Sequence, residues 1–127
     1  MSNNARHVPH EELELLSGKV TNDGGELRQL SGSDHGLQTS IMHARVAPGS
    51  GPRRHGHPHA EIFVLDAGEG RFEVEGEFID AIAGDVVIIP PDRLHSFVNT
   101  GAEPLRLTAI HENRRAVTLF EDGSRRD

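Results

Sequence analysis

Gly49-Ser-Gly-Pro-Arg-Arg-His55-Gly-His57-Pro-His59-Ala-Glu61-Ile-Phe-Val-Leu-Asp-Ala-Gly68 is the chemically densest stretch of the chain. Potential ligands stand at every second position from His55 to Glu61. In an extended segment alternate side chains point to one face, so this spacing aims several donors into one volume. Neutral imidazoles with one carboxylate suit a borderline divalent cation such as Mn, Fe, Co, Ni, Cu or Zn. A solvated or adventitiously metal-binding loop would carry the same letters, and the neighbouring sequence separates the two readings.

On both sides the chain runs in short apolar segments cut by turn signals. These are Asn22 to Gly25, Pro48-Gly49, Ala67 to Gly70, Glu75-Gly76-Glu77 and Ala83-Gly84-Asp85. A turn about every ten residues predicts an antiparallel sandwich or barrel. Strands are expected at Leu37 to Val46, Ala60 to Leu65, Arg71 to Val74, Phe78 to Ile82, Val86 to Ile89, His95 to Val98 and Leu105 to His111. Val86 to Ile89 is apolar at every position, which predicts cover on both faces. Glu11 to Leu16 is the only helical pattern, and it is too short to define the fold.

The remaining composition narrows the function. A chain of 127 residues fits one compact domain, and 14 Gly with 7 Pro disfavour long helices. No window reaches the roughly 20 apolar residues of a membrane span, and the polar start lacks the apolar segment of a signal peptide. The chain is therefore expected to be soluble and cytoplasmic. Without cysteine there is no disulfide, thiolate nucleophile or zinc-thiolate site, so any metal must be held by His and carboxylates. Twenty acidic against 13 basic residues, a net charge of −7, would repel phosphate backbones. Neither nucleic acid nor membrane is expected as a partner.

The chain resembles the cupins. Their first motif (Gly, five residues, His-x-His, three or four residues, Glu, six residues, Gly) is met by Gly49, His55, His57, Glu61 and Gly68. Their second motif is matched by Gly84, Pro90, His95 and Asn99, with Asp92 where the family usually has Gly. Asp tolerates the turn conformation that position needs. Together the motifs span Gly49 to Asn99, about two fifths of the chain. The resemblance implies an all-β, antiparallel jelly-roll barrel with short or no helices. It also implies one divalent transition metal (Mn, Fe, Ni, Cu or Zn) held by His55, His57, Glu61 and His95. His59 competes with His55 for the first position; family spacing assigns it to His55 and leaves His59 beside the site or in solvent. On this reading residues 1–14 are an N-terminal arm, residues 15–120 the barrel, and residues 121–127 a disordered tail.

Strand alternation extends the reading to the pocket. If Glu61 points inward, so do Phe63 and Leu65, and His95 brings Phe97 with it. Leu105, Leu107, Ala109 and His111 form the more apolar face of the last long strand. His111 then projects into the barrel as the candidate catalytic acid or base; the alternative is an exposed histidine at a strand end. Met42, Ala44 and Val46 read as an inward set with His43 and Arg45 outward, and the opposite register would bring those two into the pocket. Arg53 and Arg54 stand where they could steer an anion. Asn99 is expected to close a turn, and Arg115 to Phe120 to serve as a terminal strand for a homodimer or to be buried within its own chain.

Two function classes follow from these residues. One is a metal-dependent enzyme acting on a small oxygenated metabolite, by dioxygenase or Lewis-acid isomerase, cyclase or lyase chemistry. The other is a non-catalytic module that binds or senses a small molecule or metal complex. Fold alone does not choose between them.

Overall fold

The computed structural model describes residues 5–16 and 25–127. The described residues form two six-stranded antiparallel sheets joined as a jelly roll. In the first sheet the order is β1 (Glu14–Leu15), β2 (Glu26–Leu30), β3 (Ser40–Val46), β10 (Leu105–His111), β5 (Glu61–Ala67) and β8 (Val86–Ile89). In the second it is β12 (Arg125–Arg126), β11 (Thr118–Phe120), β4 (His55–Gly56), β9 (His95–Asn99), β6 (Glu69–Val74) and β7 (Glu77–Ile82). Helical structure among them is limited to two single 3₁₀ turns, His10–Glu12 and Gly32–Asp34.

Register turns this topology into layers. On the β5–β10 ladder Glu61 lies opposite His111, Phe63 opposite Ala109, and Leu65 opposite Leu107. All six side chains are buried, so one polar pair sits above two apolar pairs. Phe63, Phe72 and Phe97 fill the floor, with ring centroids 5.1, 5.6 and 5.2 Å apart around the triangle. The inward set Met42, Ala44 and Val46 packs on this core, and His43 and Arg45 are excluded from it.

Tight turns hold the strand ends. Gly68 has φ +89°, and a Cβ there would come within 2.9 Å of the Pro104 carbonyl oxygen, so only glycine closes β5 onto β6. Asp92 takes φ +64°, as expected for the residue replacing glycine, and its amide donates to the His57 carbonyl at 2.7 Å. That bond ties the loop before His95 to the loop carrying His57. Asn99 closes its turn by donating to the carbonyls of Val46 (2.9 Å) and Glu103 (2.8 Å).

Four expectations are corrected. Glu11 to Leu16 forms no α-helix: Glu11 and Glu12 belong to a single 3₁₀ turn and Glu14–Leu15 pair as β1 with β2, because tertiary pairing outweighs the weak propensity of a six-residue patch. The third strand begins at Ser40, not Leu37, because Gly32–Asp34 turns the chain back and Ser40 Oγ bridges the Gly32 amide and the Asn113 carbonyl. Val86 to Ile89 is covered on one face only. It is the last strand of its sheet, and Val86 (55%) and Ile88 (66%) are exposed. The fourth concerns the tail expected beyond Phe120: Asp122-Gly123 turns the chain and returns it as β12 against β11. Thr118–Phe120 itself pairs with β4 of the same chain, which takes the intramolecular option for Arg115 to Phe120. The turn expected from Asn22 to Gly25 lies mostly outside the described residues.

Because Phe72 is fully buried against two other rings, Phe72→Ala is expected to lower stability by about 3–5 kcal/mol. Urea unfolding of both proteins checks this; a loss below about 1 kcal/mol would mean the aromatic floor closes around the deletion.

Candidate metal centre

Glu61 enters the barrel at the start of β5 and is buried to 3% exposure. Three imidazole nitrogens close on its carboxylate. His57 Nε2 lies 3.0 Å and His95 Nε2 3.1 Å from Oε1, while His111 Nε2 lies 3.1 Å from Oε2. His55 stands opposite His95 on the β4–β9 ladder, its ring 4.5 Å from that of His95 and 5.0 Å from that of His57.

Backbone carbonyls fix which nitrogen each ring presents. Nδ1 donates to the Arg53 carbonyl in His55 (2.6 Å), to the Val117 carbonyl in His57 (2.8 Å) and to the Arg93 carbonyl in His95 (2.9 Å). A carbonyl only accepts, so in each neutral ring the proton sits on Nδ1 and Nε2 carries a lone pair. Lone pairs from His57 and His95 therefore face the oxygens of a buried carboxylate. His57 Nε2 makes no aligned hydrogen bond despite its 3.0 Å approach. With neutral rings such an arrangement is repulsive, and it is relieved by a proton on Nε2 that hydrogen-bonds Glu61 or by a metal ion among the donors.

The spacing fits a metal ion. One donor atom from each of His55, His57, Glu61 and His95 lies within 4.8 Å of the others. Ligands about 2.1 Å from an octahedral ion stand about 3 Å apart when adjacent and about 4.2 Å apart when opposite. All four residues are buried, and their Nδ1–H···O=C bonds are the outer contacts that orient metal-binding histidines. The described residues thus contain a buried His/Glu cluster able to bind a metal.

The family described as "Cupin domain" matches residues 42–111, more than half of the sequence. The chain belongs to the cupin family. Among solved structures this cupin is similar to a predicted oxalate decarboxylase from Thermotoga maritima, at 24% identity and TM-score 0.74 over 85% of this chain and 99% of that one. It is also similar to a cupin-like protein from the same organism, at 23% identity and TM-score 0.67 over 76% of this chain and 74% of that one. Bacillus subtilis oxalate decarboxylase aligns at 22% identity and TM-score 0.76, over 88% of this chain but only 30% of that longer one. Likeness at these identities shows the fold alone. No curated protein matches the chain.

Around the cluster the cupin barrel holds a cavity of about 40 Å³ with largely apolar walls, among them Met42, Phe63, Phe97 and Leu107. That is room for about three water molecules. His111 lies inside, at 1% exposure, rather than at an exposed strand end. Its Nδ1 is 3.0 Å from His59 Nε2, so the buried His59 stands beside the cluster and extends it away from Glu61. His57, His59 and His111 also place donor atoms within 4.8 Å of one another, a second set sharing His57.

Two features differ from the sequence reading. Arg53 and Arg54 are engaged elsewhere: Arg53 lies 4.0 Å over the Phe120 ring and 3.4 Å from Asp122, and Arg54 bonds Glu121 (2.6 Å) and Glu73 (3.0 Å). They pin the C-terminal hairpin and do not line the cavity. Arg126, by contrast, does line it and was not anticipated. The usable signal was the Asp122-Gly123 turn, which implies a returning strand after Phe120.

Electrostatics follow from burial. Burial, then the neighbouring His95, depresses the His55 imidazole from its ordinary 6.5 to about 3. Burial and the nearby His111 bring His59 to about 4. Burial pushes the Glu61 carboxyl up, but contacts with His111, His57 and His95 outweigh it and hold the group well below the usual carboxylate range. Below pH 6.5 the unfolded chain takes up protons that folded His55 and His59 refuse, and below 4.5 it protonates a carboxyl that folded Glu61 keeps ionised. All three contributions have one sign: stability is complete above pH 6.5 and is lost as pH falls toward 3. The melting temperature of metal-free protein is expected to drop steadily across this window. A melting temperature constant down to pH 4 would contradict the neutral, desolvated histidines.

Proposed function

We propose that this cupin is a metal-dependent enzyme acting on a small oxygenated metabolite, working in the cytoplasm as a homodimer. His55, His57, Glu61 and His95 would hold one divalent transition metal, and His111 would serve as the acid or base. The observation that carries the reading is the convergence of carbonyl-oriented Nε2 lone pairs on the buried Glu61 carboxylate.

Four protein ligands leave coordination positions free on a six-coordinate ion, and a bound metal supplies Lewis-acid polarisation of a substrate oxygen or a redox centre. The chain supplies the rest. Apolar walls keep bulk water from the reacting atoms and strengthen each charge inside. His111 stands between Glu61 Oε2 (3.1 Å) and His59 Nε2 (3.0 Å), placed to give or take a proton inside the cavity. An imidazole inside the cavity, beside the cluster and able to exchange a proton, favours the enzyme over the binding-module reading. The oxalate decarboxylases among the structural neighbours are in keeping with a substrate small enough for this cavity.

The homodimer reading rests on the edge strands. β8 ends one sheet and β7 the other, and they carry the exposed Phe78, Ile79, Ile82, Val86 and Ile88. Unpaired edges of this composition are unusual on a monomer, and a second copy supplies both missing strands and apolar cover.

Elemental analysis of protein purified without a metal-binding tag is expected to find close to one transition metal per chain. His57→Ala and Glu61→Ala should each remove it together with turnover; stoichiometric metal retained in both variants would overturn the ligand assignment. Light scattering is expected to give a dimer that Ile88→Glu converts to monomer. A wild-type monomer at high concentration would remove the dimer from the proposal.

A further inference from the structure

Among the described arginines Arg28, Arg54 and Arg126 are partly buried, and of these three Arg126 alone has no carboxylate partner. Its neighbour Arg125 points outward and pairs with Asp127. Arg126 lies on the same two-residue strand with the opposite orientation, lines the cavity, and takes part in no ion pair among the described residues. Nη2 makes one long contact, 3.4 Å, to Thr118 Oγ1. Nη1 is buried with no hydrogen-bond partner. A desolvated guanidinium nitrogen without an acceptor is costly, and such groups are rare without a functional reason.

Its surroundings say what is missing. The Glu14 and Glu61 carboxylates attract Arg126 from a distance and Arg53 repels it, yet none closes a pair with it. Burial disfavours its charge, but a guanidinium stays protonated. The fixed fork of an arginine matches a planar carboxylate through two parallel hydrogen bonds. The cavity it shares with His55, His57, Glu61 and His111 has room within its walls for only a few heavy atoms, and its other lining side chains are apolar.

We infer that Arg126 is the anion-recognising residue of the cavity and that the ligand is a small carboxylate, bound with its charge on the Arg126 guanidinium. The inference rests on the reading of the site as a metal centre only for where the rest of the ligand goes; the arginine contact itself needs no metal. It gives the C-terminal hairpin, which lies outside residues 42–111, a role in choosing the ligand. The hairpin presents Arg126 through β12, while β11 pairs with His55 and Gly56 and the Val117 carbonyl orients His57.

The test is an NMR titration of the full chain, metal-free and again after zinc loading, with formate, with oxalate and with the neutral amide oxamide. Wild type is expected to bind formate or oxalate in preference to oxamide. Arg126→Met should weaken carboxylate binding by about 10- to 100-fold, the effect of losing charge-assisted hydrogen bonds. Arg126→Lys, which keeps the charge without the fork, should recover part of it. Zinc stoichiometry and melting temperature are recorded for each variant, so that a folding defect shows separately. Equal carboxylate affinity in wild type and Arg126→Met, or no carboxylate binding by wild type, would overturn the inference. Failure to take up zinc would instead count against the metal centre, while the metal-free titrations would still decide the role of Arg126.

Discussion

A carboxylate taken out of water must be met by positive charge or by donors, and the barrel is arranged around that requirement at Glu61. Burying an ion costs several kcal/mol even after the protein relaxes around it. Here the groups facing the ion are imidazoles: Nδ1 of His57 and of His95 is committed to the carbonyls of residues 117 and 93, and Nδ1 of His111 faces His59. The remaining lone pairs make the cluster poor company for a lone carboxylate and good company for a carboxylate with a divalent cation. The same geometry accounts for the depressed His55 imidazole, since an added proton would be both desolvated and beside another imidazole.

The supports of this cluster come from separated parts of the sequence. β4 and β9 set His55 beside His95, and β5 and β10 set Glu61 beside His111. The Asp92 amide on the His57 carbonyl locks one ligand loop to the other. The C-terminal hairpin adds the Val117 carbonyl behind His57 and the Arg126 guanidinium within the cavity. Beneath them the Phe63, Phe72 and Phe97 rings form a packed floor, so the polar end of the barrel is held on rigid material. The small volume of the cavity follows from this packing.

Much of this was legible in the order of residues. His-x-His with a glutamate four residues on, followed by a third histidine framed by Pro90-Pro91 and Asn99, contains all four residues of the buried His/Glu cluster. Period-two alternation assigned the inward faces of the strands carrying Met42, Glu61, Phe97 and Leu107 because one face of each is buried. Where alternation was absent the reading failed: Val86 to Ile89 is apolar throughout, and its exposure depends on being an edge strand.

The sequence by itself determined which side chains share a face and which atoms can serve as ligands, because both depend on local geometry: a strand repeats every two residues, and an imidazole beside a carboxylate has one chemistry. Tertiary structure alone decided that His111 meets Glu61, that His59 meets His111, and that Arg126 reaches the cavity while Arg53 and Arg54 do not. Those contacts join residues far apart in the chain, 50 positions for Glu61 with His111 and 52 for His59 with His111, and are fixed by which strands lie side by side and in what register, which no local pattern encodes.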